Sequence, residues 1–288
     1  MELRFPITSD KHECTRFEKN YPQNTTRFIP DDWYVEGSDF DSTYDYEGHP
    51  SRDNYDGWTH LTCSSRCRCP CCGRRNFCAR DLLIIAIHGA CSTSGTEKKR
   101  TGVGVWFGVQ SPTSGSKHNV SRATDETTKE AAEIRAALVA LESYSALKKD
   151  GLRKINDKTI ILKTDSAHLV DGITKNIERW KARGWQSTTK KPVANKELWE
   201  KLEERVMNKT LHGTRVLFWK VPKGWNRQAR VLAEAALLDD SSEQKEKMVQ
   251  DAAGEYVTER RKWMKDYEDE CKALALDGPN DRDLSKLR

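Results

Sequence analysis

The chain has 288 residues, of which 32% are charged and 36% hydrophobic, with a formal net charge of +5. Its mean hydropathy of −0.82 is polar for a globular protein, so part of the chain must stay outside any core. The longest apolar stretch lies around Leu82–Ala86, far short of the ~20 residues of a spanning helix, which excludes a helical membrane protein. The opening segment MELRFPITSDKHEC has neither the apolar block of a secretory signal nor the acid-free, Arg-rich texture of an organellar one. The expected location is therefore intracellular, nuclear or cytoplasmic.

Charge is distributed unevenly. Between Asp31 and Gly57 there are nine Asp/Glu against the single basic Arg52, whereas Ser143 to Arg230 carries 21 Lys/Arg against nine Asp/Glu. A local cationic excess of that size suits a polyanion, because displaced counterions drive such binding. Nucleic acid is the leading partner class, and solvated helix faces are the plainer alternative.

In chain order, residues 1–80 carry Pro, Gly, Asp and Tyr without helical or strand periodicity and read as an irregular arm. The arm is acidic and ends in a Cys-rich knot. Six of the nine cysteines fall within Cys63–Cys78. Reduced thiols or a metal clip are favoured over disulfides there. The spacing reproduces no paired C-x-x-C ribbon, yet Cys63, Cys67, Cys69 and Cys72 suit one structural zinc, with His60 nearby; free thiols are the alternative.

From Asp81 the texture changes. LLIIAIHGAC predicts a buried strand ending in a Gly turn, and TGVGVWFGV a second strand. A short third strand is expected near His118–Arg122. Asp125–Lys149 reads as a helix with an apolar face of Ala132, Ile134, Ala137, Leu138 and Leu141, capped by Asp125 or Thr127. TIILKT (Thr159–Thr164) is a buried strand ending in an Asp. Short helices are expected at Ala167–Thr174 and Ile177–Ala182, a longer one at Asn195–Asn208, a last strand in TRVLFWKV, and a helix at Arg227–Leu238. This order predicts an α/β domain over residues 81–240 with an antiparallel hairpin region and parallel additions, a five-stranded mixed sheet flanked by helices. Residues 241–288 read as a charged helical tail with Met248, Tyr256, Trp263 and Tyr267 along one face.

Four blocks carry a resemblance: HGAC with the Gly-rich hairpin after it; ETTKEAAEIRAALVALE; TDSAHLVDGITKNIERWKARGW with KKPVANKELWEKL; and VPKGWNRQARVLAEAA. In that order, over roughly Leu82–Leu238, they resemble type 1 ribonuclease H. They look like its strand-end Asp motif, its glutamate-presenting helix, its second Asp with helix pair, basic handle and Asn-initiated helix, and its Val-Pro loop with the final helix. The resemblance implies an RNase H-like fold and two-metal phosphodiester hydrolysis, in which four carboxylates hold two Mg²⁺ about 4 Å apart.

Carried over by position, the resemblance matches Glu133 and Asp165 to two of those carboxylates. His88 and Arg230 stand where the other two are expected, and only Lys223-Gly224-Trp225 separates Pro222 from Asn226, with no loop His. Mg²⁺ requires hard oxygen ligands, and a guanidinium that cannot lose its proton repels it. At ~4 Å that repulsion is about 1 kcal/mol at the dielectric of water and several-fold larger in a cleft. Glu133 and Asp165 are therefore expected to hold Mg²⁺ or Mn²⁺ weakly. Glu234, one turn beyond Arg230 on the same helix face, is expected to lie too far along the axis to substitute for the lost carboxylate.

Hybrid-reading positions of the family correspond to Ser94, Lys129 and Glu130, which lack the expected amides. The basic handle is kept in Lys175, Arg179, Trp180, Lys181, Arg183, Trp185, Lys190 and Lys191. Its cations suit phosphates and its tryptophans suit stacking or packing. Asn195 matches a backbone-placing position, or serves as a helix cap. The function expected is binding of RNA–DNA hybrid or duplex with hydrolysis of the RNA strand lost or strongly reduced. An active Mg²⁺-dependent RNA–DNA hybrid ribonuclease and a protein-interaction module working through the termini are the alternatives.

Overall fold

The computed structural model describes residues 26–28, 47–48, 60–61, 82–92, 100–108, 118–150, 159–255 and 258. The Cys63–Cys78 cluster, most of the acidic segment, Ser94, Tyr256, Trp263 and Tyr267 lie outside the described residues, and with them the expected zinc site.

Five strands form one mixed sheet: β1 (Leu82–Cys91), β2 (Thr101–Trp106), β3 (Val120–Thr124), β4 (Thr159–Thr164) and β5 (Arg215–Lys220), in the spatial order β3-β2-β1-β4-β5. The first three pair antiparallel as hairpins, while β4 and β5 add in parallel beside β1. That is the mixed five-stranded architecture expected from the residue pattern.

Alternation in β1 sorts the two layers. Leu83, Ile85 and Ile87 join one buried cluster with Ile134, Leu138 and Leu141 of α1 (Lys129–Lys149) and Trp199 and Leu202 of α4 (Lys196–Leu211). Ala86 turns to the opposite face, where Trp106 packs with Ala229 and Leu232 of α5 (Arg227–Ala235). Val249 and Ala253, from helical residues 243–255, pack against that second cluster. Each such Leu or Ile stabilises the fold by about 1.5–3 kcal/mol relative to exposure.

Two glycines decide how closely α5 approaches. A Cβ on Gly104 would lie 2.0 Å from the Ala229 carbonyl oxygen, and one on Gly102 2.7 Å from that of Ala233. Both glycines point from β2 to α5, so the helix backbone rests directly on the sheet. On the opposite face a Cβ at Gly89 would lie 2.3 Å from the Glu133 backbone nitrogen. This contact brings the first turns of α1 onto the end of β1.

Several boundaries differ from the expected ones. Helix α1 begins at Lys129, later than Asp125, and its cap is Thr128, whose side chain accepts from Ala131 N at 3.1 Å. Asp125 and Thr127 do not cap it, because the strand and its connection run on to Glu126, whose carboxylate binds Arg135 and whose carbonyl accepts from Thr101 Oγ1. Strand β3 starts at Val120, since the Asn119 side chain takes over the hydrogen bonding of Phe107 N and Gly108 O. The two short helices α2 (Ala167–Asp171) and α3 (Ile177–Ala182) are joined by a π-helical turn, Gly172–Asn176. Trp199 fills the space over Gly172, where a Cβ would lie 2.2 Å from its ring.

Among the described residues, the arm pairs with the sheet edge in a way that no periodicity announced. Thr26–Phe28 lie parallel to β5, with Phe218 N donating to Thr26 O and Phe28 N to Phe218 O at 2.7 and 2.9 Å. Phe28 is buried and meets Trp219 edge-on, and Arg27 pairs with Asp171 at 2.8 Å. Backbone pairing along an open sheet edge needs no alternation in the added strand. Glu47–Gly48 and His60–Leu61 form a further two-residue antiparallel pair.

Candidate functional site

The parallel register of β1 and β4 builds the centre of the site. Leu82 pairs with Thr159 and Ala86 with Lys163. Two residues further, His88 comes level with Asp165, just where β4 has ended. Both side chains are 5% exposed, and His88 Nδ1 donates to Asp165 Oδ1 at 2.9 Å.

Asp165 receives more than this. Asn226 Nδ2 donates to the same Oδ1 at 2.7 Å and to the Ile87 carbonyl at 2.9 Å. Arg230, on α5, stands 3.9 Å from Oδ2. Burial pushes the Asp165 carboxyl upward, but the donors His88 and Asn226 outweigh it and hold it at about 2. The Asn226 orientation leaves its Oδ1 buried without a partner among the described residues, a cost of about 1–3 kcal/mol that its two donated bonds offset.

Glu133 arrives from α1, on the other side of the strand end. Ser166 Oγ donates to its Oε2 in a short hydrogen bond and accepts from Leu169 N at 3.1 Å, capping α2. Lys129 lies 3.9 Å away, one turn earlier. Burial raises the Glu133 carboxyl above its ordinary value, against the Ser166 bond and the nearby Lys129 and His88. The two carboxylates are thus tuned in opposite directions.

All four positions singled out in the sequence, His88, Glu133, Asp165 and Arg230, converge here. Glu234 does not reach in; it is half exposed and lies 3.9 Å from Arg230 on the same helix. Ser166, Asn226 and Lys163 were missed. Lys163 is 3% exposed, and its Nζ donates to the Trp225 carbonyl at 2.7 Å, fastening the short loop before α5. A lysine inside the apolar strand TIILKT was the signal for it. Asn226 was visible only as a loop residue, and Ser166 only as a helix start.

The handle is assembled by aromatic packing. Trp180 and Trp185 pack partly buried against the core, with Trp180 5.3 Å from Trp199 and 6.4 Å from Trp185 between ring centroids. Lys196 sits 5.7 Å over the Trp185 ring. Gly184, Trp185 and Lys190 have φ of 62°, 61° and 60°, and Gln186 bridges to Pro192, so Lys190 and Lys191 project from a tight reversal. Asn195 has φ 59° and its side chain makes no capping bond, so the capping role considered for it is not realised. Its carbonyl instead accepts from Leu198 N and Trp199 N.

The predicted cations divide into two groups. Lys175 is held by Asp171 at 3.0 Å, and Lys181 by Glu203 at 2.8 Å and Glu178 at 3.2 Å. Arg179, Arg183, Lys190 and Lys191 are exposed and have no ion-pair partner among the described residues. Of the predicted handle cations, these four are open to an external anion.

The layered mixed sheet with helices on both faces makes this an α/β protein that carries two buried carboxylates at its strand ends and an exposed basic handle. The family model for RNase H matches residues 81–237. A Ribonuclease H of Maricaulis maris is 36% identical over 165 residues, 55% of this chain and 96% of that protein. Ribonuclease H1 of Mus musculus is 34% identical over 125 residues, 43% of this chain but only 39% of that protein. Among solved structures, the metagenomic compost enzyme LC11-RNase H1 is 20% identical with a TM-score of 0.37, covering 55% of this chain and 96% of that one. The chain belongs to the RNase H family.

Whether a pair of Mg²⁺ fits these residues is answered by the donor set. One oxygen of Asp165 already accepts two hydrogen bonds and the other faces a guanidinium. Among the described residues no group of three or more His, Cys, Asp or Glu is placed to hold a metal ion. Mg²⁺ takes octahedral oxygen ligands and tolerates no cation in its shell, so these residues do not fit a two-metal centre. No described helix is long and apolar enough to cross a membrane.

Proposed function

We propose that the chain uses its RNase H domain to bind nucleic acid, as RNA–DNA hybrid or duplex, with hydrolysis of the RNA strand lost or strongly reduced. The observation that carries this reading is the occupation of Asp165 by His88, Asn226 and Arg230. The built-in donors neutralise a carboxylate that a metal would otherwise need. Binding is supported by the four open cations of the handle, set beside tryptophans that hold its shape. In this reading residues 81–240 are the binding domain, flanked by the arm, 1–80, and the tail, 241–288. Any Mg²⁺ or Mn²⁺ is held weakly by Glu133 and Asp165.

The test is cleavage of an RNA–DNA hybrid by the full chain, with Mg²⁺ and then Mn²⁺, beside the Glu133→Gln variant. Wild type and variant should give the same background. Product that requires a divalent ion and disappears in Glu133→Gln would replace this proposal with an active ribonuclease.

A further inference from the structure

We infer that Arg27, carried on the arm, is a positioning residue for nucleic-acid binding: by sharing Asp171 it releases Lys175 to take a phosphate. The inference rests on the nucleic-acid-binding reading above and adds to it a role for a segment well ahead of the sheet in the sequence.

Strand register places Arg27. It lies level with Phe218 of β5 in a parallel bridge, and residues level with each other in a sheet point to the same face. Phe218 belongs to the buried layer that includes Leu169 and Val170 of α2, so Arg27 is turned toward that helix. Phe28 is turned to the other face, where it is buried and meets Trp219. With two backbone hydrogen bonds to Phe218 at 2.7 and 2.9 Å, the Phe28 anchor fixes the segment, and Arg27 needs little further ordering to hold its partner.

Two cations meet one oxygen there. Arg27 Nη1 donates to Asp171 Oδ1 at 2.8 Å, and Lys175 Nζ lies 3.0 Å from the same atom. Hydrogen bonds from Lys175 and from Arg27 hold the Asp171 carboxyl below its ordinary value against the effect of burial, so it is ionised at neutral pH. Among the described residues Lys175 has no partner but Asp171. Asp171 with Lys175 alone is a neutral pair, and a phosphate that drew Lys175 away would leave the carboxylate unpaired. With Arg27 in place the group carries a net charge of about +1, and Asp171 keeps a partner when Lys175 leaves. Arg27 is 27% exposed on its anchored segment, whereas Lys175 is a flexible ammonium, 52% exposed, so Lys175 is the one of the two that turns outward. It stands in the π-helical turn that leads into α3, the helix of Arg179, and joins the open cations of the handle.

The experiment titrates the full chain against RNA–DNA hybrid by fluorescence anisotropy at several salt concentrations. One phosphate contact is worth about 0.9 in the slope of log affinity against log salt concentration. Arg27→Gln should flatten the slope by up to about 0.9 and weaken binding severalfold at low salt. Lys175→Gln should do the same, and Arg27→Lys, which keeps the charge, should retain most of the wild-type slope. Adding Asp171→Asn to Arg27→Gln removes the carboxylate that recaptures Lys175 and should bring the slope back to the wild-type value. Loss of arm packing alone would not be reversed in this way. An unchanged or steeper slope in Arg27→Gln, or failure of Asp171→Asn to restore it, overturns the inference alone. Absence of hybrid binding by wild type at low salt overturns the underlying function as well.

Discussion

At Asp165 a single carboxylate ties together the ends of β1, β4 and α5. Its donors lower its pKa to about 2, below the ordinary unfolded value of about 3.9. Ionised Asp165 thus contributes stability that is fully present above about pH 4 and is lost as pH falls through about 2. Asp165→Asn should cost on the order of 2 kcal/mol at pH 7, and the gap from wild type should close on acidification. Glu133 has the opposite sign. Its raised pKa means that ionising it inside the fold costs stability at neutral pH. Glu133→Gln should therefore raise the melting temperature at pH 7, with the gain fading as pH falls through the raised folded value and gone below the unfolded one. Melting curves of both variants in EDTA, from pH 3 to 8, check the pair; a matching sign for the two substitutions would contradict the assigned environments.

Elements are brought to the site by close backbone approach. Gly102 and Gly104 let α5 lie on β2, and Gly89 lets α1 lie on β1, so two helices on opposite faces of the sheet bring Arg230 and Glu133 to its strand ends. Gly104→Ala places a methyl 2.0 Å from the Ala229 carbonyl and must push the helix away. A loss of about 1–3 kcal/mol or more follows from overpacking of this kind, measurable by urea unfolding. The same displacement should weaken the Arg230–Asp165 approach. An unchanged midpoint would mean that α5 rides freely on the sheet.

Along the sequence, acidic and basic regions are separated, and four exposed cations without an ion-pair partner among the described residues lie on the handle. Each phosphate contact contributes about −0.9 to the slope of log affinity against log salt concentration. Replacing Lys190 and Lys191 together by Gln should flatten that slope by about 2, with little effect on stability because both are exposed. Anisotropy titrations of hybrid between low and moderate salt measure it. A slope unchanged in the double variant would move the binding surface away from the handle. At the far edge of the sheet, Thr26–Phe28 cover β5, and Arg27 and Lys175 share Asp171. The arm's contact is thereby linked to the first turns of the handle helices.

Local pattern alone determined much of this protein. Apolar runs and alternation located all five strands, helical spacing located α1, α4 and α5, and motif order brought out Glu133, Asp165 and the two charge-altering positions. These features are legible because each depends on residues close together in the chain. The tertiary structure alone decided which groups share a hydrogen bond. The links Asp165 to Asn226, Glu133 to Ser166, Lys163 to Trp225 and Phe28 to the β5 edge join residues up to 190 positions apart. Strand register and glycine-mediated helix contact set those distances, and neither leaves a periodic trace in sequence.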